Sequence, residues 1–372
     1  MKILHIHIGL SLMGGAESLI INLANEQTKR NKIKVCSIFK PLEESIFYTR
    51  LSQKVEKEHL GIVTNGFSLK NLWKIFRYLN SCNVDVVHIH GFFYYYVLPV
   101  LFLHNKMHFV YTVHSDAYME NSKWDKRILW LKKLCFRKGW LNAVTISSES
   151  KKSFTKLYNL DSRLINNGVP RPNINNKPNE IDEARLTQKT KVFFHPGRIC
   201  PEKNQVTLCK VFSRLISEGE DVSLIIAGTK QVESVFEKMK PFFCDRIKYL
   251  GERNDIPYLL SRADGFCLSS HWEGLPITLL EALSVGCIPI CSSVGGIINV
   301  VDSNVNGMLS KSSSEEDYYQ CMKLFLSFDE ERIGDMKKNV LDSFGPFDIS
   351  TTAENYCNFY KELIETHGCN VY

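Results

Sequence analysis

The chain has 372 residues, 44% of them hydrophobic and 23% charged, with a formal net charge of +6. That length exceeds what one hydrophobic core usually serves, so two domains are expected, and the composition excludes disordered and fibrous classes. The charge suits phosphorylated small molecules or an anionic membrane surface and is too weak and too spread out to indicate nucleic acid.

The first strand is expected at Lys2–Ile8. His5 and His7 lie within it, and it runs straight into a helix pattern at Ala16–Lys29, which is unlike a signal peptide. Further strands are expected at Ile33–Phe39, Asp85–Ile89, Phe109–Val113 and Ala143–Ile146, with a helix at Leu69–Leu79. The apolar run Gly91–Leu103 contains Pro99 and is too short to span a bilayer. Residues 166–191 are rich in Asn, Pro and Lys and read as a linker or surface loop. The alternation then restarts. Strands are expected at Lys191–His195, Val222–Ala227, Lys248–Leu250, Gly265–Leu268 and Cys287–Cys291, and helices at Glu202–Ile216, Val232–Phe243 and Ile277–Val285. A last helix covers Thr351–Thr366, with Tyr356, Phe359 and Tyr360. Short apolar strands alternating with helices give an α/β class with two parallel sheets. Twelve cysteines without a Cys-x-x-Cys pair read as reduced, mostly buried thiols of a cytosolic protein, not as a zinc site or disulfide framework.

Open α/β sheets bind ligands beyond the carboxyl ends of their strands, so the residues after each strand matter most. Pro196-Gly197-Arg198 follows one strand, and Pro201-Glu202-Lys203-Asn204 opens the next helix. A turn-permitting glycine, two cations and a helix N-terminus suit a diphosphate, although a loop with solvated charges fits equally well. The stretch SSHWEGLPITLLEALSVGCIPI is the most specific. Gly274 permits a tight turn and Pro276 is expected at the first helical position. Glu273 precedes the helix and Glu281 lies on it, with seven residues between them. The two carboxylates can accept from vicinal hydroxyls, one of a ribose and one of a sugar, against the alternative of a capping acid and a solvated glutamate. In the first half, Gly14 and Gly15 follow the first strand and let backbone N–H groups approach a ligand, or simply make a tight turn. His114 ends the strand Tyr111-Thr112-Val113, and His88 and His90 end another. A lone histidine is more often structural, and His88 is expected to pack within its strand.

Taken in order, these residues resemble the retaining glycosyltransferases of family 4. The resemblance rests on Gly-Gly-Ala-Glu at 14–17, Val-His-x-His at 87–90, Thr-Val-His-Ser at 112–115, Ser-Glu-Ser at 148–150 and Asn-Gly-Val at 167–169. In the second half it rests on Gly-Arg-x-x-x-Glu-Lys at 197–203, Leu250-Gly251 and Glu-Gly-Leu-Pro at 273–276 with Glu281. It covers nearly the whole chain. It implies the GT-B fold, two Rossmann-like parallel-sheet domains facing a central cleft with a C-terminal helix crossing back to the first. The expected boundaries are 1–170 plus 350–372 for the acceptor domain and 171–349 for the nucleotide-sugar domain. By the same resemblance Gly197, Arg198 and Lys203 hold the donor diphosphate, and Glu281 holds the ribose. Glu273, with Gly274, Leu275 and Pro276, meets the donor sugar. Gly14 and Gly15 approach the phosphates or the acceptor, and His114 lines the sugar pocket. One departure stands out: Gly295-Gly296-Ile297-Ile298-Asn299 keeps the glycines of a common family motif but lacks its proline and glutamate.

No Asp-x-Asp clamp stands out, so neither a metal nor a cofactor is expected. The implied reaction moves a hexosyl or N-acetylhexosaminyl group from a nucleotide-sugar, a uridine diphosphate sugar first, to a glycan or lipid-linked glycan of surface polysaccharide. Arg198 and Lys203 meet the charge that grows on the leaving diphosphate. Lys123–Trp140 carries seven Lys or Arg against one acid, Asp125, with Trp124 and Trp140 among its apolar residues. Such a segment fits an anionic membrane surface or an amphipathic helix packed on its own sheet. The expected location is cytoplasmic, with peripheral contact at the inner membrane face as the extension. Two other classes stay open at this stage: a sugar-nucleotide epimerase of the same fold, and a non-catalytic nucleotide-sugar-binding protein.

Overall fold

The computed structural model describes residues 1–10, 14–43, 45–62, 68–91, 94–103, 107–120, 128–174 and 179–368. The chain divides into two compact units, Met1–Gly168 together with Ile349–Tyr372, and Val169–Asp348.

The first unit is built on a seven-stranded sheet ordered β3-β2-β1-β4-β5-β6-β7. Its strands are β1 (Lys2–His7), β2 (Lys32–Phe39), β3 (Glu56–Ile62), β4 (Val86–His90), β5 (His108–Val113), β6 (Asn142–Thr145) and β7 (Arg163–Leu164). All pair in parallel. Parallel strands are covered on both faces, so the central ones read as unbroken buried runs such as Val86–His90. One face holds Leu4, Ile6, Val87, Ile89, Phe109 and Tyr111. The other holds Ile3, Val35, Val86, Val110 and Val144, packed against the first helix, Gly15–Gln27, and the last, Ile349–Gly368. The last helix contributes Ile349, Ala353, Tyr356 and Tyr360, a spacing that puts four side chains on one helical stripe. The sequence thus leaves one sheet and returns to it at its end, and the helix expected at Thr351–Thr366 starts two residues earlier.

The second unit has a six-stranded parallel sheet ordered β10-β9-β8-β11-β12-β13. Its strands are β8 (Lys191–Pro196), β9 (Val222–Ala227), β10 (Ile247–Tyr249), β11 (Gly265–Leu268), β12 (Pro289–Ser292) and β13 (Met308–Ser310). Three expectations need correction. Residues 166–191 are more than a linker: within them Glu180–Glu183 forms a capped helical turn whose Ile181 is fully buried. Arg262 and Arg253 hold that turn through Asp182 and Glu180. Pro276 is the cap residue, with ψ 126°, and the helix begins at Ile277. The helix expected at Val232–Phe243 is Glu233–Met239 followed by a 3-10 turn at Lys240–Phe242, where Pro241 removes an amide donor.

In both sheets the strand order reverses once, between β1 and β4 and between β8 and β11. Those reversals open a crevice at the carboxyl ends of the strands.

Candidate functional site

In the second unit the reversal places the loop after β8 beside the loop after β11. Gly197, Arg198 and the turn Pro201–Lys203 come from the first, and Ser269, Ser270 and Glu273 from the second. The two loops are stapled together. The His271 amide donates to the Glu202 carbonyl at 2.8 Å. Asn204, in the left-handed conformation with φ 54°, donates its amide to the carbonyls of Ser269 and Ser313. The Ser269 hydroxyl donates back to the Asn204 carbonyl at 2.9 Å. This frame brings the Lys203 ammonium to 2.6 Å from Glu273 Oε1, and the Ser270 hydroxyl donates to the same oxygen at 2.5 Å. Glu273 is buried and Lys203 half-buried, whereas Arg198 is exposed.

Glycines let the surrounding backbone close in. A methyl group on Gly295 would fall on the Glu273 carbonyl, and one on Gly296 on the Gly274 carbonyl. The Gly296 amide in fact donates to that Gly274 oxygen at 2.7 Å. Gly295 also has φ 52°, which favours glycine. The Gly295-Gly296 pair therefore holds the Glu273–Leu275 loop in place, while the missing proline and glutamate lie beyond this contact. Leu275 is buried, and Glu281 lies half-buried on the helix Ile277–Ser284.

Beneath Gly197 lies His195. Its Nδ1–H donates to the Cys267 carbonyl at 2.8 Å, which leaves Nε2 as a buried lone pair with no partner. Burial pulls this imidazole down to about 4, so it is neutral at pH 7. Gln205 donates to the Arg198 carbonyl at 2.7 Å and fixes the backbone of that turn.

In the first unit Gly14 caps the first helix in an extended conformation, Gly15 begins it, and the Glu17 carboxylate lies against Gly14. Leu12 and Met13 lie outside the described residues. His114 follows β5. Its amide and that of Ser115 both donate to Glu120 Oε1. Burial pushes Glu120 up to about 7, against the opposing charge of Lys132. His114 Nε2 lies 3.1 Å from His90 Nδ1, and burial holds His114 down at about 3. His88 is packed within its strand, 2.7 Å from Thr112 Oγ1 and 2.6 Å from the Tyr360 hydroxyl. Sequence reasoning missed Ser270, Asn204, His195 and Glu120. Ser270 stands two residues past the end of β11, where ligand-facing residues of such a sheet are expected. Glu120 carries no local signal.

The described cysteines are free, and most are buried. Among the described residues no helix is long and apolar enough to cross a membrane. The segment Lys123–Arg127 lies outside the described residues. The rest of the basic stretch forms the helix Leu129–Arg137, which exposes Trp130, Lys133 and Arg137.

Two Rossmann-like units, each parallel throughout, with cations and an acid at a strand-order reversal, define the GT-B class of α/β proteins. Residues 13–171 match the family described as Glycosyltransferase Family 4, and residues 176–340 match Glycosyl transferases group 1. The chain belongs to the family 4 glycosyltransferases. It is 24% identical to an Escherichia coli UDP-Gal:alpha-D-GlcNAc-diphosphoundecaprenol alpha-1,3-galactosyltransferase, over 98% of this chain and 97% of that one. It is 23% identical to a Campylobacter jejuni alpha-1,4-N-acetyl-D-galactosaminyltransferase whose acceptor is a diphospho-undecaprenol glycan, over 94% and 96%. Among solved structures it superposes on HepE of Anabaena in complex with UDP and glucose, with a TM-score of 0.77, 20% identity and coverage of 97% and 100%. It also superposes on the sucrose-phosphate synthase of Thermosynechococcus elongatus, with a TM-score of 0.78, 16% identity and coverage of 98% and 99%.

Proposed function

We propose that this glycosyltransferase moves a hexosyl or N-acetylhexosaminyl group from a nucleotide-sugar, a uridine diphosphate sugar first, to a lipid-linked glycan in surface polysaccharide synthesis. The observation that carries the reading is the Lys203–Glu273–Ser270 cluster at the reversal of the second sheet. A cation and an acid held this close, beside Gly197 and Arg198, offer a diphosphate and a sugar hydroxyl their complementary partners. In this reading the second unit, Val169–Asp348, binds the donor. Arg198 and Lys203 take the diphosphate, Glu281 the ribose and Glu273 the sugar, with Gly274, Leu275 and Pro276 shaping the turn. Diphosphate departure builds negative charge, which the two cations stabilise with no metal in the scheme.

The first unit takes the acceptor and contributes Gly14, Gly15 and His114. Transfer retains the anomeric configuration by departure and attack on one face of the sugar, since no side chain is assigned as a nucleophile. The E. coli and C. jejuni relatives act on diphosphoundecaprenol glycans, and such an acceptor fits an enzyme working at the inner face of the cytoplasmic membrane. The exposed Trp130, Lys133 and Arg137 suit that contact. Incubation with uridine diphosphate sugars and a short-chain polyprenyl-diphosphate glycan tests the reading. It expects an α-linked product whose formation needs Lys203 and Arg198. Donor consumed to an epimer without acceptor would contradict it.

A further inference from the structure

We propose that a buried relay, Gln27–His5–His90, sets the tautomer of His114, leaving Nε2 protonated and Nδ1 bare to accept a hydrogen bond from a substrate hydroxyl. The proposal rests on the assignment of His114 to the reacting site and adds which of its atoms can act.

The relay is a product of sheet register. His5 on β1 lies opposite His88 on β4, His7 opposite His90, and His90 opposite Thr112 on β5. Alternate positions share a face, so His5, His88, His90 and Thr112 gather on one side of the sheet. The first helix lowers Gln27 onto this face, and the last helix lowers Tyr356 and Tyr360. The contacts then run in a line. Gln27 Oε1 is 2.8 Å from His5 Nε2, His5 Nδ1 is 3.1 Å from His90 Nε2, and His90 Nδ1 is 3.1 Å from His114 Nε2. Four residues, from one helix, two strands and the loop after a third strand, form a single path.

A neutral imidazole has one N–H and one lone pair, so each link fixes the next. The carbonyl oxygen of Gln27 only accepts, so His5 must carry its proton on Nε2. Its Nδ1 is then a lone pair, which requires a proton on His90 Nε2. His90 Nδ1 is in turn a lone pair, which requires a proton on His114 Nε2. The logic holds while every ring stays neutral. Burial ensures this, drawing His5 to about 4, His114 to about 3 and His90 well below the usual value. Gln27 presents Oε1 to His5 Nε2, and its Nε2 makes no hydrogen bond. The Tyr360 hydroxyl is engaged elsewhere, 2.6 Å from His88 Nδ1. The outcome is a half-buried His114 whose Nδ1 accepts and cannot donate at neutral pH.

Nitrogen-15 NMR of the histidine-labelled protein, with no donor present, reads the tautomer of each ring directly. At pH 7 the wild type is expected to show His114 protonated on Nε2 and unprotonated on Nδ1. Gln27→Met removes the anchoring acceptor, and His114 is expected to populate both tautomers. A wild-type His114 carrying its proton on Nδ1 would overturn the proposal whether or not the variant folds. So would a wild-type tautomer retained in Gln27→Met. The functional half has its own readout. His114→Phe is expected to lower sugar transfer at least tenfold, and unimpaired transfer would overturn the hydroxyl-accepting role without touching the tautomer assignment.

Discussion

Lys203 and Glu273 lie seventy positions apart in sequence, yet their side chains meet at 2.6 Å, with the Ser270 hydroxyl on the same carboxylate oxygen. Both groups are largely withdrawn from water. Removing one leaves the other partly buried and unpaired, which costs more than an exposed ion pair would. Lys203→Met and Glu273→Gln are each expected to destabilise the chain by about 1–3 kcal/mol, and the double variant by less than their sum. Urea unfolding of all four proteins checks this. Strict additivity would show that the two side chains do not interact.

The Gly295-Gly296 pair is expected to be intolerant of any side chain. Gly296→Ala would drive a methyl into the Gly274 carbonyl, with backbone on both sides of the clash. A loss of about 2 kcal/mol or more is expected, together with weakened nucleotide binding, because the Glu273–Leu275 loop must move. Thermal unfolding and nucleotide titration of this variant are the measurements. Wild-type values in both would mean that the loop does not depend on this contact.

How far the chain could be read in advance depended on range. The central strands of both sheets were legible because parallel strands buried on both faces are continuous apolar runs, as in Val222–Ala227. Three edge strands were not. β3 reads EKEHLGI, with charged residues that pair sideways, Glu56 and Glu58 with Lys34, so its apolar signal is faint. β7 and β13 have two and three residues, below the length at which periodicity can be judged. The helices Glu315–Leu326 and Glu330–Asp342 were also passed over, although Ser314 and Asp329 cap them by accepting from backbone amides. At the site, Arg198, Lys203, Glu273 and the glycines were visible because each follows a strand. What stayed hidden was pairing at a distance: Lys203 with Glu273, and the line of histidines under the last helix. Those depend on sheet order and register, which no local pattern encodes.

Acid is expected to weaken the fold earlier than carboxylate titration alone would. His5 and His195 are drawn to about 4 and His114 to about 3, chiefly by burial. Below the usual value of 6.5 the unfolded chain binds protons that the folded chain refuses, so stability falls as pH falls. Each such histidine contributes a loss of about 2 kcal/mol by pH 5. Glu120 has the opposite sign. Burial raises it to about 7, so the folded state gains a proton first, and its stabilisation is lost as pH rises through 7. Glu120→Gln removes that offset and is expected to steepen the decline. Urea midpoints at pH 7.5 and 5 for both proteins test the signs. A wild type as stable at pH 5 as at pH 7.5 would contradict the assignment of neutral buried histidines.

The helix Leu129–Arg137 presents Trp130, Lys133 and Arg137 at three- and four-residue intervals, which places them on one face. Trp130→Ser with Lys133→Glu is expected to reduce cosedimentation with vesicles containing anionic phospholipid by at least fivefold, with no effect on the unfolding midpoint. Equal binding by the wild type and the variant would remove this face from membrane contact.

The donor site is the central claim, and calorimetric titration with uridine diphosphate tests it most directly. The wild type is expected to bind. Arg198→Ala is expected to weaken binding at least tenfold while leaving the unfolding midpoint unchanged, since Arg198 is exposed and supports no core. Undiminished affinity in Arg198→Ala, with Lys203→Ala equally unaffected, would contradict the placement of the diphosphate at the β8–β11 reversal.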